Sequence, residues 1–122
     1  TGMVPTILFK NDEPFMILGA LGGSVIIPAE LQTILNIVDF GMSPMEAVSV
    51  PRIHSEGDFV HVEARVESSQ ISVLESFGHK IKKSPYSFDP MMARCHVILK
   101  DKKSWKAGAD PRSGGGVAFA RV

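Results

Sequence analysis

Two short apolar runs open the chain. Thr6–Lys10 and Phe15–Leu18 are both β-rich, and Asn11-Asp12-Glu13-Pro14 between them is turn chemistry. The pattern predicts a hairpin, and the nearly unbroken apolar character of both strands predicts a sheet covered on both faces. The period then changes at Leu18-Gly19-Ala20-Leu21-Gly22-Gly23-Ser24. Beyond these glycines Ile27, Leu31, Ile34, Leu35 and Val38 recur on one face of a helix spanning about Ser24 to Phe40. Pro28 is tolerated only in a first turn, so this helix starts beside the glycines, and Gly41 ends it. Ser43-Pro44-Met45-Glu46 spells a capping box with proline at the first helical position, opening a short helix that Pro51 stops.

Apolar and polar residues alternate from Phe59 to Val66, which predicts a strand with His61 toward solvent. Ser68 or Ser69 then caps a helix carrying Ile71, Leu74 and Phe77, closed by Gly78. Short strands are expected at His79–Lys83, Ala93–Leu99 and Ser104–Ala107, with a loop at Tyr86–Pro90 and a turn at Asp101-Lys102-Lys103. The tail from Gly108 to Gly116 is irregular. With no repeat and no linker, residues 1–122 read as a single domain, an α/β layered arrangement.

Composition narrows the function. At 44% hydrophobic and 21% charged, the chain can bury a core. Thirteen basic residues balance thirteen acidic ones, which argues against a nucleic-acid partner. Lys80, Lys82, Lys83, Lys100, Lys102 and Lys103 read as solvated strand ends and turns. No run approaches the ~20 apolar residues of a membrane span. The start lacks the basic-then-apolar pattern of a leader, and it does not open on Met, so a fragment or processed product is expected. One cysteine allows no internal disulfide.

Most candidate chemistry falls away. His54, His61, His79 and His96 show no helical metal-pair spacing and no Cys-x-x-Cys exists, so no metal and no cofactor is predicted. Cys95 and His96 are strand neighbours and point to opposite faces, so they cannot act as a pair; Cys95 reads as core. Thr1 could in principle act as an N-terminal nucleophile. The glycine stretch keeps two readings. A strand, a glycine turn and a helix N-terminus leave backbone N–H groups without intrahelical partners, and paired glycines permit positive φ and close approach. Gly22 and Gly23 either present donors to a developing oxyanion or form a tight bend that binds nothing.

An ordered set of short motifs spans the chain: Met3 with Pro5-Thr6-Ile7, Gly19 with Gly22-Gly23-Ser24, Ile26-Ile27, Gln32, Asn36, Asp39 with Gly41-Met42, Glu46-Ala47, Pro51-Arg52 with His54, Glu63, Leu74, Gly78-His79, and Gly108-Ala109-Asp110-Pro111-Arg112. Together they resemble the C-terminal part of the small (light) subunit of γ-glutamyltransferases, also called glutathione hydrolases. The resemblance implies an N-terminal-nucleophile hydrolase fold, a four-layer αββα sandwich, of which this is the C-terminal portion. It implies an enzyme in which a threonine freed by self-cleavage attacks a γ-glutamyl amide, the acyl group passing to water or an amine. It implies that Gly22 and Gly23 are the oxyanion hole. A serine pair that binds the substrate's α-carboxylate falls on Thr1 and Gly2, where only Thr1 keeps a hydroxyl; this also places Thr1 downstream of the family nucleophile. The nucleophile and the large subunit lie outside these residues, so the 122 residues by themselves are expected to be inactive and to associate with themselves or with that partner. The family is often secreted or periplasmic. A cephalosporin-acylase-like amide hydrolase and a non-catalytic module are the alternatives. Pro51-Arg52 and Asp110-Pro111-Arg112 are expected to be structural, with arginines donating to carbonyls or a carboxylate.

Overall fold

The computed structural model describes residues 3–102 and 104–120. The expected carboxylate-binding pair, Thr1 and Gly2, lies outside the described residues, as does Lys103 of the expected turn.

The hairpin forms as read. β1 (Thr6–Lys10) pairs antiparallel with β2 (Glu13–Leu21). The turn itself is only Asn11 and Asp12, both at positive φ (52° and 61°), a twist that suits a two-residue hairpin. β2 runs further than its apolar stretch suggests: Gly19 lies inside the strand opposite His96, and the chain bends only at Gly22. β6 (Arg94–Asp101) and β7 (Ser104–Gly108) complete an antiparallel sheet in the order β1-β2-β6-β7.

One face of this sheet is the core. Met16, Leu18, Ala20, Cys95 and Val97 pack under α1 (Ile26–Val38) and α2 (Pro44–Ser49), against Ile26, Ile37, Ala47 and Val48. The expected cover on both faces is met on this face alone. On the other, Ile7, Ile17, Ile98 and Trp105 stay substantially exposed. Beside them, residues 116–120 help enclose an apolar cavity of about 730 Å³. Strand alternation sets the division: odd positions of β2 pair with even positions of β6 on the open side.

The face of α1 is the main correction. Of the expected face Ile34 packs against the core, but Ile27, Leu31, Leu35 and Val38 are 55%, 53%, 40% and 54% exposed, whereas Ile26, Ala29, Glu30, Thr33 and Ile37 are buried. The helix is apolar on both flanks, and the sheet takes the flank carrying Ile26 and Ile37, with Ala29 and Thr33 buried between them. Thr33 satisfies its own hydroxyl by donating to the Ala29 carbonyl (2.9 Å). α2 carries the expected capping box: Ser43 N–H donates to Glu46 (2.8 Å) and Glu46 N–H to Ser43 Oγ (3.4 Å). β7 lies close against α2 because residue 108 is glycine; a Cβ there would stand 2.4 Å from the Pro44 carbonyl oxygen.

A second sheet holds β3 (Ile53–Ser55), β4 (Val60–Val62) and β5 (Ile81–Lys83), with β3 and β4 antiparallel and β4 and β5 parallel. The strand expected over 59–66 shrinks to three residues because the chain turns at Glu63, whose fully buried carboxylate is drawn into an ionic cluster. α3 (Ser68–Ser76) is capped by Glu67, not by Ser68 or Ser69: Glu67 and Gln70 form the reciprocal box. Val60, Val62 and Val66 pack with Ile71 and Ile81.

Candidate functional site

The glycine bend sits where β2 gives way to α1. Gly22 has φ 144° and Gly23 φ 73°, both in the region that side chains rarely adopt. A 3-10 turn over Gly23–Val25 follows, and Ile26 N–H donates to the Gly23 carbonyl, so the bend feeds directly into the helix. The two glycines have different surroundings. A Cβ on Gly22 would stand 2.9 Å from both Ala93 Cα and Val25 Cγ2, whereas one on Gly23 would meet nothing within 4 Å. Gly22 is therefore the packed foot of the bend and Gly23 its open side.

The floor under Gly22 is itself held in an unusual conformation. Ala93 is fully buried with φ 62°, just ahead of β6. Arg52 fixes it, donating from Nη1 to the Met92 and Ala93 carbonyls (3.2 and 3.1 Å) and forming a 2.8 Å ion pair with Asp110. Asp110 Oδ2 also accepts from Cys95 N–H (2.8 Å), and Oδ1 accepts from Arg112 Nη1 (3.1 Å). Arg112 in turn reaches Glu63 and the carbonyls of Val48 and Val50 (2.8 and 2.9 Å). Glu63 accepts Arg52 N–H (3.0 Å) and Asp89 N–H (2.7 Å). Two buried arginines and two carboxylates thus pair in the interior with their hydrogen-bonding groups engaged, the condition for burying charge, and Arg65 Nη2 meets Glu63 Oε2 from the edge at 3.4 Å. The structural role expected for Pro51-Arg52 and Asp110-Pro111-Arg112 is what the geometry gives, and Glu63 joins them.

In front of the bend, Ser24 Oγ donates to Glu56 Oε1, and His54 Nε2 meets the same oxygen at 3.3 Å. Hydrogen bonds from Ser24 and then His54 hold the Glu56 carboxyl below its ordinary value. Sequence reasoning missed Glu56. Glu56 lies one residue past the end of β3, in the turn toward β4, and nothing in the sequence pointed to its pairing with Ser24, 32 positions away.

The remaining candidates stay apart. Cys95 is buried and His96 exposed, on opposite faces as expected; burial pushes the Cys95 thiol up to about 11. His96 Nδ1 accepts from Asp110 N–H (3.2 Å). Among the described residues no three His, Cys, Asp or Glu side chains could share a metal ion, and no helix is long and apolar enough to cross a membrane.

The helix-covered antiparallel sheet is the fold found in solved N-terminal-nucleophile hydrolases. A cephalosporin acylase from Bacillus halodurans superposes with a TM-score of 0.88 at 30% identity, over 97% of this chain and 22% of that one. A mutant γ-glutamyltranspeptidase from Helicobacter pylori gives 0.80 at 32% identity, over 91% of this chain and 61% of that one. Residues 1–120 match the family model described as Gamma-glutamyltranspeptidase. The chain belongs to the γ-glutamyltranspeptidase family. A glutathione hydrolase proenzyme of Bacillus subtilis (strain 168) is 41% identical over 70% of this chain, and the acylase ACY 1 proenzyme of Pseudomonas sp. (strain V22) is 33% identical over 98% of it. The chain spans 15% and 22% of the length of these two relatives.

Proposed function

We propose that residues 1–122 form one domain, the C-terminal part of the small subunit of an enzyme that transfers or hydrolyses γ-glutamyl groups, and that Gly22 and Gly23 supply its oxyanion hole. The carrying observation is the bend: two successive positive-φ glycines at a strand-to-helix junction, with the Gly23 side open and the Gly22 side seated on Ala93. Fixed backbone donors stabilise charge that appears only in the tetrahedral state, which is worth about 3–4 kcal/mol per donor. The threonine nucleophile comes from outside these residues, and Thr1 and Gly2 take the place of the carboxylate-binding pair. The exposed flank of α1 and the open face of the sheet support a partner: the remainder of the same precursor covers them, completing the four layers, and without it the chain self-associates.

In the complete enzyme, Gly23→Ala strains the bend and projects a methyl into the open space above it. The expected result is a fall in kcat of about a hundredfold with KM little changed. An unchanged kcat overturns the assignment. A second substrate reading, an acylase-type amide hydrolase, is supported by Gly2 standing where a serine hydroxyl is expected and by acylase relatives that match the chain as fully as the glutathione hydrolases do. Comparing γ-glutamyl- and glutaryl-p-nitroanilide on the complete enzyme separates the two.

A further inference from the structure

A glycine pair is the loosest dipeptide a chain can contain, yet an oxyanion hole works only if its donors are already aimed before charge develops. Something must therefore hold the bend from both ends. Behind it, Gly22 is wedged against Ala93 and Val25. In front, the first side chain after the glycines, Ser24, is tied to Glu56 on the loop joining β3 to β4.

That loop is stiffened from within. Ser55 Oγ donates to the Phe59 carbonyl (2.9 Å) and accepts from Gly57 N–H (3.3 Å). Glu56 takes a second hydrogen bond from His54, a largely buried side chain on β3. β3 is in turn clasped to α1: the Gln32 side chain donates to the Ile53 carbonyl (2.9 Å) and accepts from Ile53 N–H (3.1 Å). The contacts close into a ring, from the glycine bend through α1, β3 and Glu56 back to Ser24. We propose that Glu56 and Ser24 are positioning residues for the Gly22–Gly23 bend, with His54 orienting the Glu56 carboxylate.

The proposal rests on the oxyanion-hole reading above, so the test separates the two. In the complete enzyme, Glu56→Ala, Glu56→Gln, Ser24→Ala and Gly23→Ala are compared for kcat per titrated active site, KM and thermal midpoint. Affinity for a γ-glutamyl boronate, which mimics the tetrahedral state, is measured beside affinity for glutamate, which does not. Glu56→Ala and Ser24→Ala are expected to lower kcat about ten- to a hundredfold, leave KM within about twofold, and weaken the boronate while sparing glutamate. Glu56→Gln is expected to stay near wild type, because its amide oxygen still accepts from Ser24 and His54. If Gly23→Ala lowers kcat but Glu56→Ala and Ser24→Ala do not, the positioning role is wrong and the oxyanion hole stands. The positioning role is equally wrong if the loss disappears when rates are normalised to active sites, or if Gln does not rescue. If Gly23→Ala leaves kcat and boronate affinity intact, the oxyanion-hole reading itself falls.

Discussion

Arg112 and Glu63, 49 residues apart in the chain, meet in the interior as a two-pronged pair: Nε to Oε1 at 2.7 Å and Nη2 to Oε2 at 2.6 Å, with both side chains fully buried. Such parallel bonds demand the planar fork of arginine. Arg112→Ala removes the two-pronged partner of a buried carboxylate, leaving it the edge contact of Arg65 at 3.4 Å and two backbone N–H groups, and is expected to cost about 3–5 kcal/mol in urea unfolding of the complete protein. Arg112→Lys is expected to recover only part of that, because an ammonium cannot match both oxygens.

The same cluster sets an acid limit. Burial by itself raises the Asp110 carboxyl, but the charge of Arg52, the N–H groups of Cys95 and Arg112 and the charge of Arg112 outweigh it and hold it below the ordinary 3.8. A carboxyl that binds protons less readily folded than unfolded stabilises the fold above the unfolded value, and that stability is lost as pH falls through the folded one. Unfolding measured from pH 7 downward is expected to show a plateau, then a decline below about pH 4 that Asp110→Asn flattens.

Cys95 is expected to resist thiol reagents at pH 8 in the native protein and to react after denaturation. Its thiol is fully buried and pushed up to about 11, so little thiolate exists to react. Titration with a chromogenic disulfide, with and without guanidinium, checks this.

Gly108→Ala is expected to destabilise by about 1–3 kcal/mol or more in thermal unfolding, because the added methyl would collide with the backbone of α2 at Pro44. Gly19→Ala, where a Cβ meets nothing within 4 Å, is the control and is expected to change stability little.

These residues also mark what the sequence could and could not say. The capping box at Ser43–Glu46 and the opening hairpin were legible because their signals are local: a few residues satisfy their own backbone groups. Arg52, Asp110 and Arg112 were legible as structural arginines and turn residues, but their meeting at Glu63 was not, since it joins three separated segments. The flank of α1 was hard to assign because the helix is apolar on both sides: Ile26 and Ile37 face the sheet while Ile27, Leu31, Leu35 and Val38 face away, and periodicity does not say which side the sheet takes. The cap of α3 was misplaced by one or two residues because glutamate is an uncommon N-cap and serine a common one. At the bend, the glycines announced their positive φ, but Ala93 beneath them carries no mark of its own left-handed backbone.

Ile37 and Leu35 lie two positions apart on α1, the first 6% exposed against the sheet and the second 40% exposed on the outer flank. A helix with this division reports two events separately. A fluorophore or fluorinated side chain at 37 senses whether the chain has folded; one at 35 senses whether a neighbour has arrived. Labelling the two sites in parallel during maturation would therefore time folding against assembly within a single helical turn.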